Sequence, residues 1–179
     1  YHSCVLLDNA SVKCWGYNDY GQLGIDNTTH MGKTSGSMAA LPSIDLGTGR
    51  TATSIDAGDY HTCALLDNAS VKCWGLNDYG QLGIDNNTRM GDNTGEMAVL
   101  PSIDLGTGCT STAIDAGAFH LCVILVNRSL RCWGCNFHGQ LCLYNNTHMG
   151  KTSGSLAALP PIVSVNGVPS TSIDAGDFL

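Results

Sequence analysis

Nine cysteines stand in 179 residues, and six of them form three pairs spaced ten apart: Cys4 with Cys14, Cys63 with Cys73, and Cys122 with Cys132. Thiols at that spacing bridge if the chain between them turns back on itself as a hairpin. No pair has the close spacing of a zinc knuckle, and buried free thiols are the plain alternative. Three cysteines lie outside the pattern. The economical expectation joins Cys135 to Cys142 across a turn and leaves Cys109 as an unpaired thiol for a bond to another chain or to a missing part of this one. Oxidised pairs imply an extracellular or secretory location.

Asparagine supplies the second chemistry. Asn-x-Ser/Thr acceptors occur at Asn9, Asn68 and Asn127, and again at Asn27, Asn86 and Asn145, so N-linked glycans are expected at all six. Other reactive groups recur without forming a catalytic set. His2, His61 and His120 suit strand positions bonded to a neighbouring unit better than a shared metal. Trp15, Trp74 and Trp133 each follow a cysteine and read as packing residues. Asp56, Asp115 and Asp174 precede Ala-Gly, while Asp26 and Asp85 sit in Asn-rich loops; calcium is conceivable there, but without EF-hand spacing turn capping is the expectation. Neither a phosphate-cradling Gly loop with Lys nor a Gly-x-Ser-x-Gly elbow is present, so an enzyme is not expected, and no cofactor beyond the glycans.

These residues are carried by a repeat of 59 residues, beginning at Tyr1-His2-Ser3-Cys4, Tyr60-His61-Thr62-Cys63 and Phe119-His120-Leu121-Cys122. The units run 1–59, 60–118 and 119–177, and Phe178-Leu179 read as the start of a fourth, as if the chain were cut from something longer. Within the second unit, Thr62 to Leu66 and Val71 to Gly75 are β-favouring runs around the three-residue turn Asp67-Asn68-Ala69. Pairing Leu66 with Ser70 sets Cys63 opposite Cys73. Ala69 falls where a left-handed backbone is wanted, at a cost of about 1 kcal/mol relative to glycine. Asn77 to Gly83 reads as turn chemistry, Val99 to Leu105 and Thr112 to Ala116 as two further strands, and helix as nearly absent. Four strands per unit is the grammar of a propeller blade.

The strings His61-Thr62-Cys63-Ala64-Leu65-Leu66-Asp67-Asn68, Ser70-Val71-Lys72-Cys73-Trp74-Gly75 and Tyr79-Gly80-Gln81-Leu82-Gly83 resemble the regulator-of-chromosome-condensation repeat in a cysteine-bearing form. Arg89 to Met97, with Leu105-Gly106-Thr107-Gly108, is similar to the variant in mastigoneme-like proteins of algal flagella. The resemblance implies an all-β fold: three four-stranded blades of such a β-propeller, part of a larger propeller or assembly. Members of the first kind close seven blades. Function does not follow from the repeat, which serves exchange factors, sensors and scaffolds alike.

Eight Lys plus Arg against fifteen Asp plus Glu leave a net charge of −7, which disfavours nucleic acid. The longest apolar run, Leu121 to Val126, cannot span a bilayer, so membrane insertion is not expected. The favoured role is an extracellular structural glycoprotein, a building block of a surface appendage or fibril, joined to copies of itself or to further repeats through its blade faces. The rival is a secreted propeller that binds a carbohydrate or protein; it requires loop residues that depart from the repeat and converge on one end. Cys135, Phe137, His138 and Tyr144 are such departures. Guanine-nucleotide exchange, the founding activity of the resembled family, fits an oxidising compartment badly.

Overall fold

The computed structural model describes residues 1–162 and 169–176. It is built of antiparallel sheets: β1 (His2–Leu6) with β2 (Val12–Gly16), β3 (Ala52–Ala57) with β4 (His61–Leu66) and β5 (Val71–Gly75), and β6 (Ser111–Ala116) with β7 (His120–Leu125) and β8 (Leu130–Gly134). Sheet and repeat are out of phase. β3 belongs by sequence to the first unit but pairs with β4 of the second, and β6 of the second unit pairs with β7 of the third, so the second and third blades each borrow a strand from the unit before. That exchange ties successive blades together covalently. The position expected for a fourth strand is held by single bridges, Gly16 to Met31, Gly75 to Met90 and Gly134 to Met149.

The hairpins form in the expected register. Leu66 N donates to Ser70 O, Cys63 pairs with Cys73, and Ala10, Ala69 and Arg128 take the left-handed backbone at φ 60, 62 and 68°. Cys4–Cys14, Cys63–Cys73 and Cys122–Cys132 are bridged. Reducing Cys63–Cys73 genetically, by the double change to alanine, is expected to lose about 2–3 kcal/mol on the loop-entropy estimate. Urea unfolding of both proteins with and without reductant checks it: the wild type should have the higher midpoint without reductant, and the gap should close when every bridge in both proteins is reduced.

One expected strand is absent. Val99 to Leu105 contains no strand; Glu96–Val99 is a single helical turn, α1, and the rest is loop. The apolar residues read as a strand are loop plugs instead: Leu100, Ile103 and Leu105 are buried between blades, and one ladder-like bond, Ile103 N to Val71 O, ties the loop to β5. The expected start of a fourth unit at 178–179 lies outside the described residues.

Period-two alternation gives each blade two different faces. Cys63 and Leu65 of β4 and Val71 and Cys73 of β5 face the third blade, while Ala64, Leu66 and Trp74 face the first. Each disulfide therefore lies on the side toward the following blade and each tryptophan on the side toward the preceding one. No helix among the described residues is long and apolar enough to cross a membrane.

Candidate functional site

The recurring histidines and aspartates lie where inner strands of successive blades meet. His2 Nε2 lies 2.6 Å from Thr62 Oγ1 of the next blade, and Asp56 Oδ2 accepts the Ala116 amide at 2.7 Å, as Asp115 accepts that of Ala175. Burial raises the Asp115 carboxyl, with Asp56 and Asp174 adding repulsion. In copy three Leu121 replaces Thr62 and offers no hydroxyl to the ring of His61, which is fully buried. The rings of His61 and His120 lie against Gly58 and Gly117, where any Cβ would overlap them. These residues join blades, and among the described residues no group of three His, Cys, Asp or Glu is placed to hold a metal. Asp26 and Asp85 also cross between blades: Asp26 accepts the amides of Gly95 and Met97, both at 2.9 Å, and Asp85 the amide of Gly154 at 2.6 Å.

At the rim, a buried asparagine fixes each turn. Asn18, Asn77 and Asn136 accept the amides of Leu23, Leu82 and Leu141 and donate to the carbonyls of Asn27, Asn86 and Asn145. The turn is thereby pinned to the sequon loop, and residue 17 meets residue 30. Around these pins runs a row of rings. Tyr1 stacks on Tyr60 at 5.0 Å; Tyr60 meets Tyr17, Tyr20 and Phe119 at 6.0, 5.2 and 5.8 Å. Tyr79 continues from Phe119 at 5.6 Å to Phe137 at 5.7 Å, and His148 closes the row 4.6 Å from Phe137. Polar groups edge the rings. Arg89 lies 4.7 Å from the Tyr20 ring centre, His30 stacks on Tyr17 with Nε2 3.4 Å from Asp19, and Tyr17 donates to Asp19 at 2.7 Å, which pushes its hydroxyl up to about 12.

Positions 17, 76 and 135 are Tyr, Leu and Cys, and positions 30, 89 and 148 are His, Arg and His. Three departures from the repeat, Tyr17, Arg89 and Phe137, thus stand at this rim, among rings that are mostly half-buried, with Tyr1 and Phe137 exposed. Phe137 and His138 were singled out by sequence. Of the row's five tyrosines, Tyr20 and Tyr79 read as turn residues in Asn-Asp-Tyr-Gly and Tyr1 and Tyr60 as the starts of repeats; the signal in the sequence is the change at positions 17 and 30 between two otherwise nearly identical copies.

Cys135 and Cys142 do not bridge. Cys135 takes the inward place of Leu76 and is buried, whereas Cys142 is exposed; Cys109 is half-buried and also free. All six sequon asparagines are exposed, in two settings. At hairpin tips the Ser11, Ser70 and Ser129 hydroxyls donate to Asn9, Asn68 and Asn127 Oδ1 at 2.7, 2.7 and 2.6 Å. In the long loops Asn27, Asn86 and Asn145 spend Nδ2 on the carbonyls of Ile25, Ile84 and Leu143. Tyr144 is fully exposed, away from the row of rings.

Residues 1–22, 52–81 and 112–140 match the family described as "Regulator of chromosome condensation (RCC1) repeat". The Drosophila melanogaster protein "Regulator of chromosome condensation" is 30% identical over 144 residues, 78% of this chain and 23% of that protein. The chain spans a quarter or less of the curated relatives that head the comparison. Among solved structures, yeast RCC1 (Prp20) bound to Kap60 superposes with a TM-score of 0.64 at 19% identity, over 98% of this chain and 38% of that one. The ectodomain of the Physcomitrella patens receptor kinase CR4 gives 0.51 at 20%, over 98% and 34%. Borrowed inner strands, disulfide-bearing hairpins and interlocked turns therefore come to one description: this chain is built of regulator-of-chromosome-condensation repeats, folded as neighbouring blades of that propeller.

Proposed function

We propose that the chain is an extracellular binding module that takes a protein partner along its aromatic rim. One observation carries the reading: aromatic residues that recur at equivalent positions form one mostly half-buried row, and three departures from the repeat, Tyr17, Arg89 and Phe137, stand against it. Tyrosine and phenylalanine give broad contact at small entropic cost, and both, with arginine, are enriched in protein interfaces. Asp19 and Asp78 at the edge, with a net charge of −7, suit a partner surface rich in Lys and Arg, whose cations would also stack on the rings. The yeast relative is described bound to Kap60, and the CR4 relative is an ectodomain; a protein partner and an extracellular setting fit both, and three disulfides fit the second. Glycans on the hairpin-tip asparagines would keep the blades' outer edges apart from one another.

A peptide array that varies Lys, Arg and aromatic content tests this. Basic, aromatic peptides should retain the protein and release it with salt, and Tyr60→Ala should weaken retention by roughly tenfold or more while leaving the circular dichroism unchanged. Retention that ignores Tyr60 would refute the rim. Filaments of native material in negative stain would restore the structural, mastigoneme-like role, which needs blade faces that accept further copies.

A further inference from the structure

In copy two the long loop carries its own anion. Glu96 Oε2 accepts the amides of Gly91, Asp92 and Asn93 at 2.8, 3.1 and 3.1 Å, and Oε1 accepts Asn93 Nδ2 at 3.0 Å. Three successive N–H groups that converge on one oxygen form a nest, the backbone concavity that binds anions. Gly91 opens it in the left-handed region, at φ 95°. Burial alone would raise the Glu96 carboxyl, but the bonds from Asn93 and Gly91 hold it below its ordinary value.

Copy three builds the same loop without the carboxylate. Gly150 repeats Gly91 at φ 94°, and Ser155 N donates to Thr152 O at 3.0 Å as Glu96 N does to Asn93 O at 3.3 Å. Ser155 stands in the place of Glu96. Its hydroxyl accepts one amide, Gly150 N at 3.3 Å, and donates to Asp85 Oδ1 at 3.1 Å. The Lys151 and Thr152 amides, equivalent to those of Asp92 and Asn93, have no acceptor among the described residues. Copy one carries the identical string, Gly32-Lys33-Thr34-Ser35-Gly36-Ser37, and its Gly32 amide likewise donates to Ser37 Oγ at 3.0 Å.

The side chains change in step with the loss. Asp92 and Glu96 become Lys151 and Ser155, so two negative charges give way to one positive, and Asn93 becomes Thr152, whose hydroxyl can donate. The loop is braced on blade 2: Asp85 accepts the Gly154 amide at 2.6 Å, and Gly80 lies where a Cβ would meet Gly150 and the Lys151 stem. Asp85 is no bar to an anion, because copy two holds Glu96 while Asp26 accepts the Gly95 and Met97 amides in the equivalent place. Thr152 is exposed and Lys151 half-buried, so a ligand reaches both. Gly150-Lys151-Thr152 lacks the spacing of a nucleotide-binding loop; the amides, not the string, make the site.

We propose that Gly150, Lys151 and Thr152 bind a tetrahedral oxyanion, a sulfate or phosphate group, in the place that Glu96 fills in copy two. One oxygen enters the nest and leaves others for the Thr152 hydroxyl and the Lys151 ammonium, which a carboxylate could not serve as fully. The site is independent of what binds the rim.

Titrating sodium sulfate, and separately sodium phosphate, into the isotope-labelled full chain tests it by the amide resonances. Those of Gly150, Lys151 and Thr152 should move in one saturable step, whereas those of Gly91, Asp92 and Asn93 stay in place; the tighter anion names the group. Sodium chloride at matched ionic strength should move neither set. Ser155→Glu supplies the carboxylate that copy two carries and should weaken binding at least roughly tenfold, while Asp92→Lys with Glu96→Ser should create a site at 91–93. Amides at 150–152 that ignore both anions, acetate bound as tightly as either, undiminished binding by Ser155→Glu, or no new site at 91–93 would each overturn the proposal.

Discussion

Trp133→Ala is expected to cost about 3–5 kcal/mol, enough to remove a large share of a domain's stability. Trp133 is fully buried in the cluster between blades 2 and 3, packed with Leu82, Leu121 and Leu156, and its indole N–H satisfies the Gln81 carbonyl. Truncation opens a cavity that the disulfide-braced sheets on either side cannot collapse to fill. It also leaves a buried carbonyl without a donor, an added loss of about 1 kcal/mol. Two comparisons separate these contributions. Trp133→Phe keeps most of the volume but loses the donor, so it should cost distinctly less than alanine. Trp15→Ala removes the same side chain from a half-buried site and should cost less still. Urea midpoints for the three variants check the order; equal costs at Trp15 and Trp133 would mean that the junction contributes nothing beyond local packing.

The partners that make the two sites differ are distant in sequence. The hairpins and their three disulfides were legible because the relevant partners lie ten residues apart, and strand alternation plus turn length fixes such a register. The tryptophans were legible as packing residues, since a bulky residue that recurs in every unit needs a recurring partner. What it packs on was not. Gly24 and Gly83 read as turn glycines, and only the approach of an indole from a residue 50 positions later shows why no side chain fits there. Asp26 and Asp85 read as turn caps for the same reason; their amide partners are 69 to 71 residues away. The missing strand has a different cause. Leu100, Ile103 and Leu105 carry the apolar content of a strand, but Pro101 removes a ladder donor, and the loop spends its apolar side chains as plugs in the inter-blade core. The rim escaped notice because each tyrosine occupies a sensible turn or strand-end position by itself. Only the propeller's arrangement of blades sets them in one row.

The second large effect is acid sensitivity, and its source is the inner ring of contacts. Burial pushes the His61 imidazole from its ordinary 6.5 down to about 3, with His2 and His120 adding repulsion, and His2 falls to about 4. The folded state therefore binds the proton less readily than the unfolded chain. Stability is complete above the unfolded value of 6.5, falls as pH drops through it, and stops falling only below about 3, where both states are charged. For His61 alone the loss at about pH 5 amounts to about 2 kcal/mol. Asp115 works in the opposite direction, because burial raises its carboxyl, but carboxyls titrate lower, so the interval from neutrality to about pH 5 isolates the histidines. Thermal melts across that interval should show the wild type losing stability steadily. His61→Gln, which keeps a polar side chain of similar reach but does not titrate, starts from a lower melting temperature and yet loses less of it on acidification. Parallel loss in the two proteins would place the acid sensitivity elsewhere and would mean that the His61 ring is charged, or wet, in the folded chain.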